Sequence, residues 1–248
     1  MFRLLFVIFF INSYLFSIVT IEPVEPNEKS GLSGEVDGSF KESSGNIERK
    51  DYSRGLKLQF DYKDNIAYAI NNNIYAESEG QQIEDNSFIH FRHITKLDKL
   101  TAFEIYLQSE ENKFLNLNLR ELAGASLRFG FFRSEDLRLY FGAGAYASNE
   151  KYASIDGDNI SENTNRGNIY LSYKQKIEEK MEAIATGYYQ PAFKDSNDYY
   201  LLINGNINFF LTEKLALKLS FGAKEDTKPF ESNKKSDSYY LLGIGYKF

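Results

Sequence analysis

Apolar and polar residues alternate along most of the chain, and the alternation is clearest in its last ten residues. One face of that segment carries Tyr240, Leu242, Ile244, Tyr246 and Phe248, whereas glycine and lysine occur on the other. A period of two is typical of β-strands, because successive side chains of a strand point to opposite faces. We therefore predict a final β-strand with one apolar face that ends on an aromatic residue.

The same alternation predicts twelve β-strands beyond residue 30. The predicted spans are 31–42, 52–63, 65–77, 86–95, 100–109, 121–133, 137–148, 167–177, 181–190, 198–211, 214–225 and 237–248. Short turns alternate with longer polar loops between them, as in outer-membrane barrels with tight periplasmic turns and long outer loops. We predict an all-β transmembrane outer-membrane β-barrel over 31–248, with about 12 antiparallel strands, short periplasmic turns and long extracellular loops.

The alternation alone does not decide which face points inward. In a soluble barrel the apolar face would form the core, whereas in a membrane barrel it contacts lipid and the polar face lines the lumen. The one-sided long loops, the terminal aromatic residue and the chain's first residues favour the membrane barrel. A soluble periplasmic barrel that binds an apolar ligand is the alternative.

The first residues have the composition of a secretory signal, with Arg3 followed by an apolar run that polar residues interrupt at 12–13. This pattern predicts a signal peptide over 1–17, cleaved after Ser17, and a flexible periplasmic lead-in over 18–30. An uncleaved anchor helix is the alternative. We expect a bacterial outer-membrane protein that is exported through its cleaved signal.

The composition restricts the chemistry that the chain can perform. Its 248 residues carry a net charge of -6, which argues against a nucleic-acid partner. The absence of cysteine excludes disulfides, thiol nucleophiles and cysteine-ligated zinc. The loop sequence Asp156-Gly157-Asp158-Asn159 lacks the full spacing of a calcium loop, so we expect it to be solvated. We expect no cofactor and no metal.

The predicted registers turn more basic than acidic side chains towards the lumen. We expect Glu35 and Asp37 to lie near Lys57 and Lys247. Charges that pair would fill the lumen, whereas unpaired basic residues would favour anions in a narrow channel. The predicted lumen-lining residues are Lys57, Asp61, Arg92, Glu104, Arg128, Arg138, Lys174, Lys218 and Lys224.

Four segments near the C-terminus resemble one bacterial family of unknown function, the salt-induced outer-membrane proteins. The similar segments are 215–220, 226–229, 234–237 and 241–246. This resemblance implies an outer-membrane barrel with no established activity, and it provides no catalytic residues to carry over.

Two histidines are the candidates for catalysis. His90 and His93 are three residues apart on a strand and point to opposite faces, so they cannot share a site. Thr95 follows His93 by two residues, which leaves a lipid-modifying enzyme that uses His93 as an alternative. We predict a non-enzymatic barrel with a role in the envelope or in osmotic stress, and a narrow anion-preferring channel as the other alternative.

The expected partners follow from this location. They are outer-membrane lipid, lipopolysaccharide and the barrel-assembly machinery, and the sequence makes no prediction of the oligomeric state. We expect the assembly machinery to recognise the C-terminal strand through Tyr240, Leu242, Ile244, Tyr246 and Phe248.

Overall fold

The chain forms a closed antiparallel barrel of twelve strands, in which every strand pairs with its neighbours in sequence and β1 pairs with β12. This architecture confirms the predicted fold class and strand number. The computed structural model describes residues 23–26, 30–43, 48–154, 158–231 and 233–248. The predicted signal peptide and residues 156–157 of the loop at 156–159 lie outside the described residues.

The strands occupy most of the described chain, and a single 3-10 turn, Lys113–Leu115, lies between β5 and β6. No helix in the described ranges is long and apolar enough to cross a membrane. The strands are β1 (Gly31–Ser43), β2 (Arg49–Tyr62), β3 (Asn65–Ser78), β4 (Gln81–Lys96), β5 (Thr101–Asn112), β6 (Leu117–Arg133), β7 (Leu137–Ala153), β8 (Asn159–Glu178), β9 (Met181–Pro191), β10 (Tyr199–Phe210), β11 (Leu215–Asp226) and β12 (Ser236–Lys247).

Several strands extend further towards the long-loop end than the sequence predicted. β4 begins at Gln81 instead of 86, and β8 begins at Asn159 instead of 167. Backbone hydrogen bonds continue the antiparallel ladder there, and these bonds do not depend on side-chain polarity. The apolar alternation marks only the part of each strand that faces lipid, so predictions based on it were too short.

The two faces of the barrel have the polarity of a membrane protein. Large apolar side chains such as Ile203 and Leu242 are exposed on the outer face. Charged and polar side chains such as Arg92 and Glu104 are buried inside. Apolar side chains that face outward are stabilised by lipid, which leaves the polar set to fill the interior.

The last residue of the chain closes the barrel. The Phe248 amide donates to the Gly34 carbonyl at 2.9 Å, and the Gly34 amide donates to the Phe248 carbonyl at 3.0 Å. A Cβ at Gly34 would lie 2.4 Å from the Phe248 ring, so the absence of a side chain makes room for it. The predicted assembly-signal residues are all exposed on the outer face, namely Tyr240, Leu242, Ile244, Tyr246 and Phe248.

The loop between β11 and β12 reaches over the long-loop end of the barrel to the opposite wall. The Phe230 ring stacks on Tyr152 of β7 with 4.3 Å between ring centroids. The Asn233 side chain donates to the Leu115 carbonyl at 3.0 Å. The loop therefore covers part of the outer mouth.

Candidate functional site

The centre of the lumen is organised around Glu104 of β5, which is completely buried. Arg92 and Arg128 approach its two carboxylate oxygens at 3.1 and 3.5 Å. Tyr170 donates to the same carboxylate at 2.7 Å from β8, three strands away in the barrel. Arg92 and Tyr170 donate hydrogen bonds to one carboxylate oxygen, whereas the other oxygen has the ionic contact with Arg128 and no hydrogen bond. Pairing with two guanidinium groups offsets the cost of burying this charge.

A glycine on β7 allows Tyr170 to lie across the interior. Tyr170 is the cross-strand neighbour of Gly142, and a Cβ on Gly142 would lie 2.1 Å from its ring. The same tyrosine-over-glycine pairing places Tyr106, whose hydroxyl accepts a hydrogen bond from Asn168 of β8 at 2.9 Å. Two separate contacts therefore join the β5 and β8 walls through the lumen.

A second charged cluster lies nearer the long-loop end. Arg120 pairs with Glu110 at 2.9 Å, and Arg166 pairs with Asp198 at 2.8 Å. The centroid of the Tyr200 ring lies 5.6 Å from the Arg120 guanidinium and 4.1 Å from that of Arg166. These cation–π contacts add a further connection between the walls.

The acidic residues of β1 have a partner on β11 that the sequence did not indicate. Lys218 of β11 contacts the Glu35 and Asp37 carboxylates at 2.8 and 2.6 Å. Lys218 crosses β12 to reach them, because β12 presents Gly243 and Gly245 on its inner face and no side chain blocks the way. The register also places Lys57 and Lys247 opposite Glu35, as expected.

The predicted lumen-lining residues all lie on the inner face, and most of them are in ionic contacts. The Lys57 ammonium lies 5.6 Å from the Tyr68 ring centroid, and the Lys224 ammonium lies 4.8 Å from that of Tyr200. Lys174 pairs with Glu182 at 2.9 Å. The buried members of the set are Asp61, Arg92, Glu104, Arg128, Arg138 and Lys174.

Sequence reasoning missed several acidic residues of the interior. Glu110 and Glu150 lie just beyond the predicted strand ends, and Glu182 lies on a strand whose register the alternation left ambiguous. All three are buried. The buried charged side chains of the described strands comprise six acidic and six basic residues, so the expected basic excess does not occur among them. Longer predicted strands would have placed Glu110 and Glu150 inside.

Residues 23–26 lie inside the barrel at its short-turn end, although the sequence placed them in a flexible periplasmic lead-in. Val24 is buried in an apolar cluster. Arg128 donates to its carbonyl at 2.9 Å, and Arg138 donates to the Pro23 carbonyl at 3.5 Å. The other members of the apolar cluster are Ile66, Tyr68, Ile70, Phe88, Ile94 and Ala102.

Glu25 is the charged residue of this inserted segment. Its carboxylate accepts a hydrogen bond from the Tyr140 hydroxyl at 2.6 Å, pairs with Arg133 and lies 3.7 Å from the Lys96 ammonium. Burial raises the pKa of Glu25, but the hydrogen bonds from Arg133 and Tyr140 and the charges of Arg133 and Arg128 outweigh it. The pKa of Glu25 is therefore held below its ordinary value, and the carboxylate stays ionised.

A polar cavity of about 100 Å³ lies inside the barrel beside the walls formed by β1 to β3 and β9 to β12. Amides and charges of both signs line it, so it is suited to a small polar solute or to water. Its lining includes Asp37, Lys57, Asn72, Asn206, Asn208 and Lys218.

The two histidines lie on opposite faces of β4. His90 is buried inside, 3.3 Å from the Gln108 side-chain oxygen, and His93 is on the outer face, 3.1 Å from the Thr95 hydroxyl. Thr95 donates a hydrogen bond to the Asn65 side-chain oxygen at 2.9 Å, so its hydroxyl proton points to Asn65 and not to His93. No cluster of metal-ligating residues occurs in the described part of the chain.

The fold resembles those of known outer-membrane proteins, although sequence identity is low. The NanC porin is 12% identical over 87% of this chain and all of its own chain, with a TM-score of 0.53. The translocator domain of the autotransporter NalP from Neisseria meningitidis is 13% identical over 90% of both chains, with a TM-score of 0.45. The KdgM porin in complex with disordered oligogalacturonate is 8% identical over 88% of this chain and 99% of its own, with a TM-score of 0.45.

The comparison with curated proteins found no match. The family model described as DUF481, a protein of unknown function, matches residues 36–248. The match covers nearly the whole barrel and includes the four segments on which the sequence resemblance was based. The chain therefore belongs to the DUF481 family of proteins of unknown function.

Proposed function

We propose that this protein is a non-enzymatic outer-membrane component whose barrel is closed by its own side chains, with a role in the envelope or in osmotic stress. The observation that supports closure best is the Glu104 cluster. Arg92 of β4, Arg128 of β6 and Tyr170 of β8 meet at a single buried carboxylate of β5 inside the barrel.

The exposure of these side chains supports a packed centre. Arg92 and Arg128 are each 4% exposed, and Glu104 is 1% exposed. A continuous water path through the centre would expose such charged groups to solvent, because hydration is the cheapest way to stabilise them. The inserted segment 23–26 fills part of the lumen at the short-turn end, and the β11–β12 loop covers part of the mouth at the long-loop end.

Planar-bilayer recording tests the closed lumen directly. Purified protein that shows the heat-modifiable gel band of a folded barrel should give no steady conductance at high protein load. A steady conductance that grows in proportion to the inserted protein would overturn the proposal.

Export and assembly are part of the same proposal. The mature protein should begin after Ser17 and should fractionate with the outer membrane, where lipopolysaccharide and lipid are its neighbours. Intact-mass measurement of the purified membrane protein checks the cleavage site, and a mass that includes residues 1–17 would contradict it. A strain without the protein should grow more slowly in high salt than in low salt, relative to its parent.

A narrow anion-preferring channel is the second candidate, and the residual polar cavity supports it. Lys57 and Lys218 line this cavity. If the cavity is part of a conducting path, bilayers should show a small anion-selective conductance that Lys57→Glu and Arg138→Glu shift towards cations. Lys63→Glu, in an exposed turn, is the matched control and should leave selectivity unchanged. A selectivity that does not respond to either lumen variant would exclude this path.

The alternative of a lipid-modifying enzyme has one supporting contact, the hydrogen bond between His93 and Thr95. The direction of the Thr95 proton argues against it, because Asn65 accepts that proton. We expect no fatty-acid release from phospholipid vesicles by the folded protein. Release that His93→Ala abolishes would establish an enzyme.

A further inference from the structure

The inserted segment 23–26 is bound inside the barrel by side-chain contacts and is not part of the sheet. Pro23 and Pro26 have no backbone N–H to contribute to a strand. In the described part of the chain, no backbone-to-backbone hydrogen bond joins this segment to the sheet. Side chains of the barrel instead donate hydrogen bonds to its carbonyl oxygens and to the Glu25 carboxylate. The segment is therefore separable from the sheet without breaking a strand ladder.

The basic residues that surround Glu25 are positioned by the barrel wall. Arg128 lies 4.4 Å from the Tyr140 ring centroid and also contacts Glu104. Arg133 donates to the Lys99 carbonyl in addition to pairing with Glu25. The contacts of Arg128 with Tyr140 and Glu104, and of Arg133 with the Lys99 carbonyl, do not involve the inserted segment. If the segment leaves, the wall keeps a preformed cationic pocket.

The chemistry of this pocket selects a carboxylate. Arg133 and Lys96 supply positive charge, and the Tyr140 hydroxyl supplies a further donor to the same group. Charge-assisted hydrogen bonds from several donors favour a compact anion with accessible oxygens over chloride. The apolar pocket of Val24, one residue away, accommodates a short aliphatic group.

We propose that the short-turn mouth of the barrel is a binding site for small aliphatic carboxylates, and that Glu25 occupies this site within the same chain. A carboxylate solute competes with Glu25 and releases segment 23–26 from the mouth. This proposal goes beyond the closed barrel, since it concerns what the mouth binds and not whether the lumen conducts.

A single-thiol variant tests the proposal, because the chain has no cysteine of its own. Val24→Cys places a thiol in the buried apolar cluster, where a charged maleimide reaches it only after the segment leaves. The folded protein is labelled in a detergent solution that contains either sodium propionate or sodium chloride at the same ionic strength. Propionate reproduces the end of a glutamate side chain and should raise the labelling rate several-fold over chloride.

Substitution of the carboxylate provides the decisive comparison. Glu25→Gln in the Val24→Cys background should raise labelling in chloride by about tenfold, which corresponds to the loss of one charge-assisted hydrogen bond. The ratio of the labelling rates in propionate and chloride should stay close to that of the parent variant while the segment remains mostly in place, because propionate binds the same vacated pocket in both. Glu213→Cys, in an exposed turn, is the control thiol and should react equally in both salts.

Two results would overturn the proposal. Equal labelling in propionate and chloride, with Glu25 intact, would show that the mouth does not take free carboxylates. Unchanged labelling after Glu25→Gln would show that Glu25 does not hold the segment. If Glu25→Gln does not fold, Arg133→Gln removes the other member of the same ion pair, and its labelling rate in chloride is measured instead. The labelling assay does not depend on conductance. The carboxylate-site proposal and the closed-lumen proposal can therefore each fail without the other.

Discussion

Removal of the charge on Glu104 is the sharpest test of the closed lumen. Glu104→Gln keeps the size of the side chain and retains an amide oxygen that can accept the Tyr170 hydrogen bond. It removes the negative charge that Arg92 and Arg128 approach at 3.1 and 3.5 Å. The variant therefore separates the charge from the packing.

The expected magnitude follows from the burial of the two arginines. Each is 4% exposed, so both would remain as uncompensated charges away from bulk water. Removal of one partner of a buried ion pair costs about 3 to 5 kcal/mol of unfolding free energy. We expect a loss of about 3 kcal/mol, the lower end of that range, because the amide retains one acceptor.

Guanidinium unfolding of the barrel in lipid vesicles measures this loss. Far-ultraviolet circular dichroism is a suitable signal, since the chain has no tryptophan. Glu213→Gln, in an exposed turn, is the matched control and should change the free energy by less than about 0.5 kcal/mol. A similarly small change for Glu104→Gln would refute the reasoning. It would mean that water screens the central charges, and the closed lumen would lose its main support.

Three further predictions concern closure, packing and pH. Deletion of Phe248 should lower the heat-modifiable band in the outer membrane while export continues, because the closing backbone pair is lost; undiminished assembly would contradict this. Gly142→Ala should cost about 1 to 3 kcal/mol of unfolding free energy, because the added Cβ would lie 2.1 Å from the Tyr170 ring. Gly187→Ala, whose nearest neighbour would lie 3.8 Å away, should be tolerated, and equal losses would rule out the clash. Burial raises the pKa of Glu25, but Arg133 and Tyr140 lower it further, so the net pKa lies below the ordinary value. The ion pair of Glu25 therefore stabilises the bound segment fully above the ordinary carboxyl pKa, and this stabilisation is lost as pH falls through the lowered pKa. The single-thiol variant should then react faster with dithiodipyridine in acid than the control thiol does, and equal acceleration of both thiols would exclude this release.

The strand number, the two faces and the closing strand could be predicted from sequence alone. Alternation is a local property, since every second side chain meets lipid and carries an apolar group, as in Leu215, Leu217 and Leu219. The strand ends beyond the membrane could not be predicted, because both faces there meet water and the alternation disappears. Glu110 and Glu150 were missed for that reason.

The sequence also identified Arg92, Glu104 and Arg128 as lumen residues, but it could not show that they meet. Their pairing depends on the register between the adjacent strands β4, β5 and β6, and the further bond from Tyr170 depends on β8 lying within reach of β5. Lys218 reaches Glu35 only because glycines on β12 leave space between them, which is a property of three adjacent strands.

The sequence by itself therefore determined the barrel, because each strand carries its own two-faced pattern. Only the tertiary structure decided how the interior is filled. Glu25 belongs to a segment with no strand pattern, and its place is set by Arg133, Lys96 and Tyr140 from three different strands. Such a site has no local sequence signal, because its residues belong to β4, β6, β7 and a separate segment, which become neighbours only in the folded barrel.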